Sequence, residues 1–410
     1  MGKEDERISK TAWSMISVAW VAVLAVNLAV FALGMMLPSM REDLGFGIEA
    51  SGYLSAAGWI FKAVATIPIA LFVAKINPRY VLTMVYLSAG LALVLQGMAR
   101  NVEMLMVGRA LTSIAAAGIL SPLVPIKISW VPQKRIAYVN GIENCIGPVG
   151  QALGTVAVTS LIAIFSGWRN VMISLGVIMI VIAIVFVFIY KEKEGQEFKK
   201  SDAKFLEPLK SALKLKEVWL LALGWPGTSL VWIATYTFWP TYATESLGLT
   251  LGEAGFVLGL FPIASAIASF ISPSITNKIG YDKLMIWPWG FILPVAYFGM
   301  LQTGNLPILC LCSLVAGFGA YAFVPIAFTT LYKLPNVQPR TVTLGISCIL
   351  TMVGVGSSMG GTLAGILGES MGLYNAMAIC CLSPLIFGIL TLFLPERGRK
   401  YMEKMEKAGQ

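Results

Sequence analysis

Apolar stretches long enough to cross a bilayer recur from one end of this chain to the other, and they leave room for few folds. A helix that spans the hydrocarbon core needs about 20 apolar residues. Runs of that length are read near 14–36, 50–73, 79–97, 103–126, 138–165, 168–190, 217–243, 251–275, 284–303, 306–331, 341–366 and 373–394. Only 12% of the residues are charged, against roughly 25% in a soluble domain, and the charges gather between the runs. With no water in the bilayer core, a spanning backbone must satisfy its own N–H and C=O groups. The expected fold is therefore an all-α membrane protein of twelve transmembrane helices. The run Ser14–Met36 lacks a small-residue cleavage site and reads as a first helix that stays, not as a signal peptide.

The formal net charge of +9 has a topological cause. With the N-terminus in the cytoplasm, 25 of the 30 Lys and Arg residues fall in cytoplasmic segments. Three (Arg41, Arg100, Arg169) fall in outward loops and two (Lys62, Arg109) within spans. This is the positive-inside pattern, and it argues against a nucleic-acid surface. Both termini and the polar stretch Lys191–Lys216 are expected on the cytoplasmic side of a bacterial inner membrane.

Catalytic classes thin out quickly. The chain has no histidine, so a Ser/His/Asp set or a His-based metal site is not possible. The six cysteines (Cys145, Cys310, Cys312, Cys348, Cys380, Cys381) all lie in apolar segments and read as small packing residues. No cofactor and no metal are expected. The glycine-rich Gly354–Gly361 segment sits inside an apolar span with no following Walker lysine. Small residues there mean helix packing, and an ATP-driven pump is excluded.

The stretch Lys191–Lys216 divides the chain into bundles at 1–190 and 217–410, the second ending in a short cytoplasmic tail, and the halves repeat each other. Glu42, Leu44, Gly45 and Gly52 match Glu245, Leu247, Gly248 and Gly255; Val124–Lys127 matches Val324–Ala327; Arg135 matches Arg340; and GWRN (Gly167–Asn170) matches GLYN (Gly372–Asn375). The offsets of 200–205 residues drift only with loop length, as a duplication would leave them. On these residues the whole chain resembles the major facilitator superfamily. Further points of resemblance are the turn Trp130–Gly141, the segment IGPVGQALG (Ile146–Gly154) on the fifth span, and Arg109 in GRALTSIAAAG on the fourth. The resemblance implies two pseudo-symmetric six-helix bundles, close approach at Gly147, Gly150 and Gly154, and a kink at Pro148. The signature loop departs from the family: Lys75 and Asn277 stand where an acid is usual, so no gating role is carried over to it.

A charge inside a span is expensive and is a functional candidate by default. Lys62 lies roughly 18 Å from the outer end of its span, and its repeat partner is Ser265. A lysine can snorkel along its stem, but mid-span the interface is too far away. Arg109, about 9 Å inside the fourth span, reads either as a ligand contact or as a structural arginine. Lys127 lies five turns further on and therefore on the same face as Arg109, and reads as a snorkelling interfacial lysine. Glu143 is read as its structural partner, as a protonatable coupling group, or as simply exposed.

The second half offers aromatics. Trp225, Trp232, Tyr236 and Trp239 fall within about 60° of one another on a helix. The resemblance makes that helix a cavity wall; interfacial belt residues and ordinary packing are the other readings. Asn27, Gln151, Thr228 and Tyr321 could orient a ligand. The expected function is secondary transport of a small anion, an organic carboxylate, held between Lys62, Arg109 and the aromatics by a monomer in lipid. Two or three interior cations then face one peripheral acid, and an unpaired buried cation needs a partner. Alternating access between the halves is what the family implies, with a proton or an exchanged anion as the second solute. Alternatives are a drug/proton antiporter, a carrier of a zwitterion such as a betaine whose ammonium the tryptophans would face, and a non-transporting receptor or enzyme.

Overall fold

The structure is a computed structural model that describes residues 8–73, 76–120, 122–192, 206–334 and 337–401. All regular structure among the described residues is helical. Nine stretches are single helices, or nearly so, of spanning length and hydropathy, and a tenth is a pair bent by 56°. The two further spans read from the sequence fall on Ile48–Val73 and on Val102–Ala117 followed by Leu123–Trp130. Twelve spans thus fit the helices observed.

By internal contacts the chain forms two units, one of Met1–Phe46 with Ala57–Asp202, the other of Gly47–Ala56 with Ala203–Gln410. The division falls inside the expected linker, of which residues 193–205 lie outside the described residues. The one departure is Gly47–Ala56, which groups with the second unit although it lies early in the chain.

The first unit holds α1 (Lys10–Leu44), most of α2 (Ile48–Val73), α3 (Pro78–Gly97), α4 (Val102–Ala117), α5 (Leu123–Trp130), α6 (Gln133–Val156), α7 (Val158–Ile164) and α8 (Trp168–Ile189). Small residues let α6 meet α1 backbone to backbone. A Cβ on Gly154 would lie 2.6 Å from the Leu28 carbonyl oxygen, and one on Gly150 would lie 2.7 Å from that of Leu24. Gly147 faces open space, so the close approach uses two of the three glycines of the motif. The sharp bend comes at Ala157, beyond Pro148, where α6 gives way to α7.

The second unit holds α9 (Leu206–Ala212), α10 (Lys216–Glu245), α11 (Leu251–Ile279), a 3-10 turn at Lys283–Met285, α12 (Trp289–Gln302), α13 (Leu306–Ala322), α14 (Val324–Tyr332), α15 (Pro339–Met371), α16 (Leu373–Cys381) and α17 (Pro384–Thr391). The glycine-rich segment of α15 is a packing surface: Cβ atoms on Gly356 and Gly360 would strike Pro226 and the Leu230 carbonyl of α10. Gly361 and Gly365 pack on Gly52, and the Glu369 carboxylate accepts the backbone N–H of Ile48 at 2.9 Å. These contacts are why Gly47–Ala56 belongs to this unit. Beyond α17, the Glu396 carboxylate accepts the backbone N–H groups of Asp282 (2.8 Å), Lys283 (3.1 Å), Arg397 (2.9 Å) and Gly398 (2.7 Å). The tail is thereby stitched to the turn after α11.

The repeat survives as backbone geometry. Gly45 and Gly248 take φ of 67° and 71°, and Gly167 and Gly372 take 134° and 84°, conformations that only glycine adopts cheaply. Asn170 and Asn375 each donate an amide N–H to a carbonyl of the preceding turn, Phe165 at 2.8 Å and Met371 at 2.9 Å. The fourth and tenth spans break at the same place, before α5 and before α14.

Candidate functional site

In the first unit the candidates gather around one stretch of α1. Asn27 donates its amide to the Val23 carbonyl at 2.8 Å, and Arg109 Nη2 donates to the Val30 carbonyl at 3.0 Å. Arg109 is 3% exposed and lies against Gly58 of α2, where a Cβ would sit 2.9 Å from its Nε. That nitrogen is buried and has no hydrogen-bond partner among the described residues. Gln151, carried on α6 beside the glycine that packs on Asn27, is likewise buried, and its Nε2 donates to nothing among the described residues.

Gly58 and Lys62 are one turn apart on α2 and so share a face. Lys62 is exposed, and its Nζ lies 5.3 Å from the centre of the Trp59 ring. Among the described residues the ammonium has neither a carboxylate partner nor a hydrogen-bond acceptor. Arg109 is within electrostatic reach, so the two cations share one field. Trp59 itself stands edge-on to Phe31, with ring centres 6.2 Å apart. Trp59 carries no signal of its own in the sequence beyond its position three residues before Lys62, which puts it on the neighbouring turn of α2.

Lys127 and Glu143 take a different course. Because the helix breaks between α4 and α5, the five-turn spacing from Arg109 does not put Lys127 on a shared face. Lys127 does not snorkel to an interface either: it is 7% exposed and pairs with Glu143 at 2.8 Å. Its Nζ also donates to Asn140 Oδ1 at 2.8 Å, while Trp20 Nε1 donates to the other Glu143 oxygen at 3.4 Å. The network is closed, with each charge answered.

In the second unit the α10 stripe divides. Trp225 is buried in a core cluster, 5.0 Å from Phe323 and 5.5 Å from Phe328 between ring centres. Tyr236 donates its hydroxyl to the Leu258 carbonyl at 3.1 Å, and Trp239 its indole N–H to that of Met300 at 2.9 Å. Both are buried, and they tie α10 to α11 and α12. Thr228 is buried and donates to the Trp225 carbonyl. Trp232 and Tyr321 alone keep half-buried faces, with ring centres 6.3 Å apart. Ser265, the repeat partner of Lys62, is buried and shares its hydroxyl between the carbonyls of Phe261 and Gly317, both at 2.9 Å. One repeat position is a helix clamp; the other carries a cation that has no acid partner among the described residues. Among the described residues no three His, Cys, Asp or Glu side chains are grouped to hold a metal.

The family model of the Major Facilitator Superfamily matches residues 19–335 and again 224–409. The chain belongs to the major facilitator superfamily. Its membership fits the helices and the repeat, and makes it a multi-pass membrane protein of a family of transporters. It is 20% identical over 317 residues to the probable nitrate/nitrite antiporter NarK1 of Thermus thermophilus, covering 74% of this chain and 70% of that one. It is 25% identical over 284 residues to the multidrug resistance protein MdtG of Escherichia fergusonii, covering 66% and 67%. Among solved structures it resembles a bacterial homolog of the human lysosomal transporter Spinster in an inward-facing, occupied conformation. There the TM-score is 0.80 at 16% identity, over 94% of this chain and 97% of that one.

Proposed function

We propose that this superfamily member is a secondary transporter of a small anionic solute, of the organic carboxylate class, with Lys62 and Arg109 as its anion contacts. The observation that carries the reading is the Lys62 ammonium, mid-span and without an acid partner among the described residues, in the field of Arg109. An intramembrane cation is retained only where something compensates it, and a carboxylate supplies both charge and acceptors. Gln151 and Asn27 are proposed as further substrate contacts in the first unit, and the half-buried faces of Trp232 and Tyr321 are proposed, for the second unit taken by itself, as substrate-facing. A relative named for nitrate and nitrite supports an anionic cargo.

A drug/proton antiporter is the second reading, favoured by the relative named for multidrug resistance and by the open aromatic pair. Against it stands Glu143, whose carboxylate is already engaged by Lys127 and Trp20. A thermal-shift screen of the purified protein against small acids, amines and drugs separates the two. Acids should stabilise it; stabilisation by amines or drugs alone transfers the assignment to the second reading. In the same assay Trp232→Ala should weaken binding of the selected acid about tenfold, since an aromatic contact contributes on the order of 1–3 kcal/mol. Trp225→Ala should instead lower the melting temperature and leave affinity unchanged, because its ring fills a core. Equal affinities in the two variants would return Trp232 to packing.

We further propose that both termini and the 191–216 linker face the cytoplasm of a bacterial inner membrane, on the strength of the 25-to-3 division of basic residues. A single cysteine placed in the linker of a cysteine-free variant should resist a membrane-impermeant maleimide in intact cells and react after lysis. Labelling in intact cells would invert the topology.

A further inference from the structure

The buried guanidinium of the first unit lies against a glycine that its own backbone does not require. Gly58 sits inside α2 and is not among the residues of positive φ. Glycine in a helix interior costs stability relative to alanine, so its presence needs another reason, and its neighbours supply one. A Cβ at position 58 would lie 2.9 Å from Arg109 Nε, 3.4 Å from Arg109 Nη2 and 3.4 Å from Ser113 Oγ. All three are side-chain atoms of α4. What the missing methyl clears is room for the guanidinium, not a backbone contact.

The repeat makes the same point by contrast. At the offset of 203 residues that pairs Lys62 with Ser265, Gly58 pairs with Phe261. At the offset of 200 that pairs Val124 with Val324, Arg109 pairs with Leu309 and Ser113 with Ser313. Phe261 and Leu309 are fully buried, and a Cβ on Gly317 of α13 would lie 2.3 Å from the Phe261 carbonyl oxygen. There α11 and α13 meet backbone to backbone, and Ser313 locks them by donating to the Val257 carbonyl at 2.6 Å. The first unit has a glycine for the ring and an arginine for the leucine. Arg109 Nη2 is tethered to the Val30 carbonyl, its Nε has no partner, and no carboxylate among the described residues pairs with it. Lys62 lies one turn beyond Gly58, so a guanidinium seated on Gly58 lies on the face of α2 that carries the ammonium.

We propose that Gly58 is a positioning residue of the anion site, seating the Arg109 guanidinium against α2 so that it and Lys62 serve one carboxylate. The proposal rests on the anion reading given above. With a methyl at position 58, Nε must retreat about half an ångström to reach ordinary van der Waals contact. Because Nη2 is tethered, that retreat tilts the fork. Binding groups need to be held within about 0.5 Å of their productive places.

The test uses the full-length purified protein, with acetate, lactate, succinate and citrate as probes, each compared with chloride at equal ionic strength. Affinity is read from the ligand-induced thermal shift, and stability from the melting temperature without ligand. Gly58→Ala should weaken binding of the most stabilising probe at least tenfold. Its ligand-free melting temperature should be unchanged or higher, since alanine is the better helix former and only a side-chain end must move. Arg109→Ala should also weaken binding, and Gly58→Ala added to it should change affinity no further, because the glycine acts through the guanidinium. Unchanged affinity in Gly58→Ala beside a loss in Arg109→Ala would overturn the positioning role and leave the anion reading standing. A further loss of equal size in the double variant, or a Gly58→Ala protein that no longer folds, would make Gly58 a packing residue and overturn it as well. A wild type that none of the four probes stabilises would remove the anion reading, and the positioning role with it.

Discussion

Purified Lys62→Ala protein is expected to insert and fold normally and to lose binding of the carboxylate identified by screening. The loss follows from removing the ammonium that has no acid partner among the described residues, leaving Arg109 tied to the Val30 carbonyl as the remaining contact. The normal folding follows from the same fact. An ammonium without an acid partner adds no ion pair to the fold, so its removal breaks none and relieves whatever desolvation it suffers. Lys62→Arg should retain partial affinity, because the charge persists while the donors move. The readout is ligand-induced thermal shift together with counterflow in proteoliposomes. Lys62→Ala protein that binds and transports with unchanged affinity would remove the anion reading and favour a drug or amine cargo.

Lys127→Ala is expected to do the reverse, costing stability and sparing the site. The Lys127–Glu143 pair is nearly enclosed, with side-chain exposures of 9% and 14%. Breaking such a pair by deleting one member leaves an uncompensated charge, at a cost of about 3–5 kcal/mol. The Asn140 and Trp20 contacts soften that cost without replacing the charge. Removing both charges with apolar residues of similar size, Lys127→Met with Glu143→Leu, should recover most of the lost stability. A double variant no more stable than Lys127→Ala would show that the pair is not what holds α5 to α6. Loss of transport in a double variant of recovered stability would make Glu143 a coupling group after all.

What the sequence discloses here, and what it hides, follows from the range of the interactions. Span positions were legible because hydropathy is a local sum, and the glycine pairs Gly45/Gly248 and Gly167/Gly372 were legible because a left-handed turn demands glycine wherever it recurs. Lys62 stood out because a mid-span charge is rare. The α10 stripe is expected on one face, yet two of its members, Tyr236 and Trp239, donate to carbonyls at Leu258 and Met300, and a carbonyl has no signature in a one-dimensional string. Lys127 was misplaced on the Arg109 face because helix continuity was assumed across the break before α5. Ser265 and Gln151 are alike on paper, both polar residues in apolar runs. One is a satisfied clamp, and the other an amide whose N–H groups meet no acceptor among the described residues.

The Glu396 carboxylate also sets an order of events. Its acceptors close the turn at Asp282, 114 residues earlier in the chain. Contacts such as those between α11 and α13 can form while synthesis continues, but the N–H groups of Asp282 and Lys283 have no such acceptor until translation has passed residue 396. The second unit is therefore finished from its tail. A nascent chain arrested before that point lacks the carboxylate that accepts the N–H groups of Asp282 and Lys283.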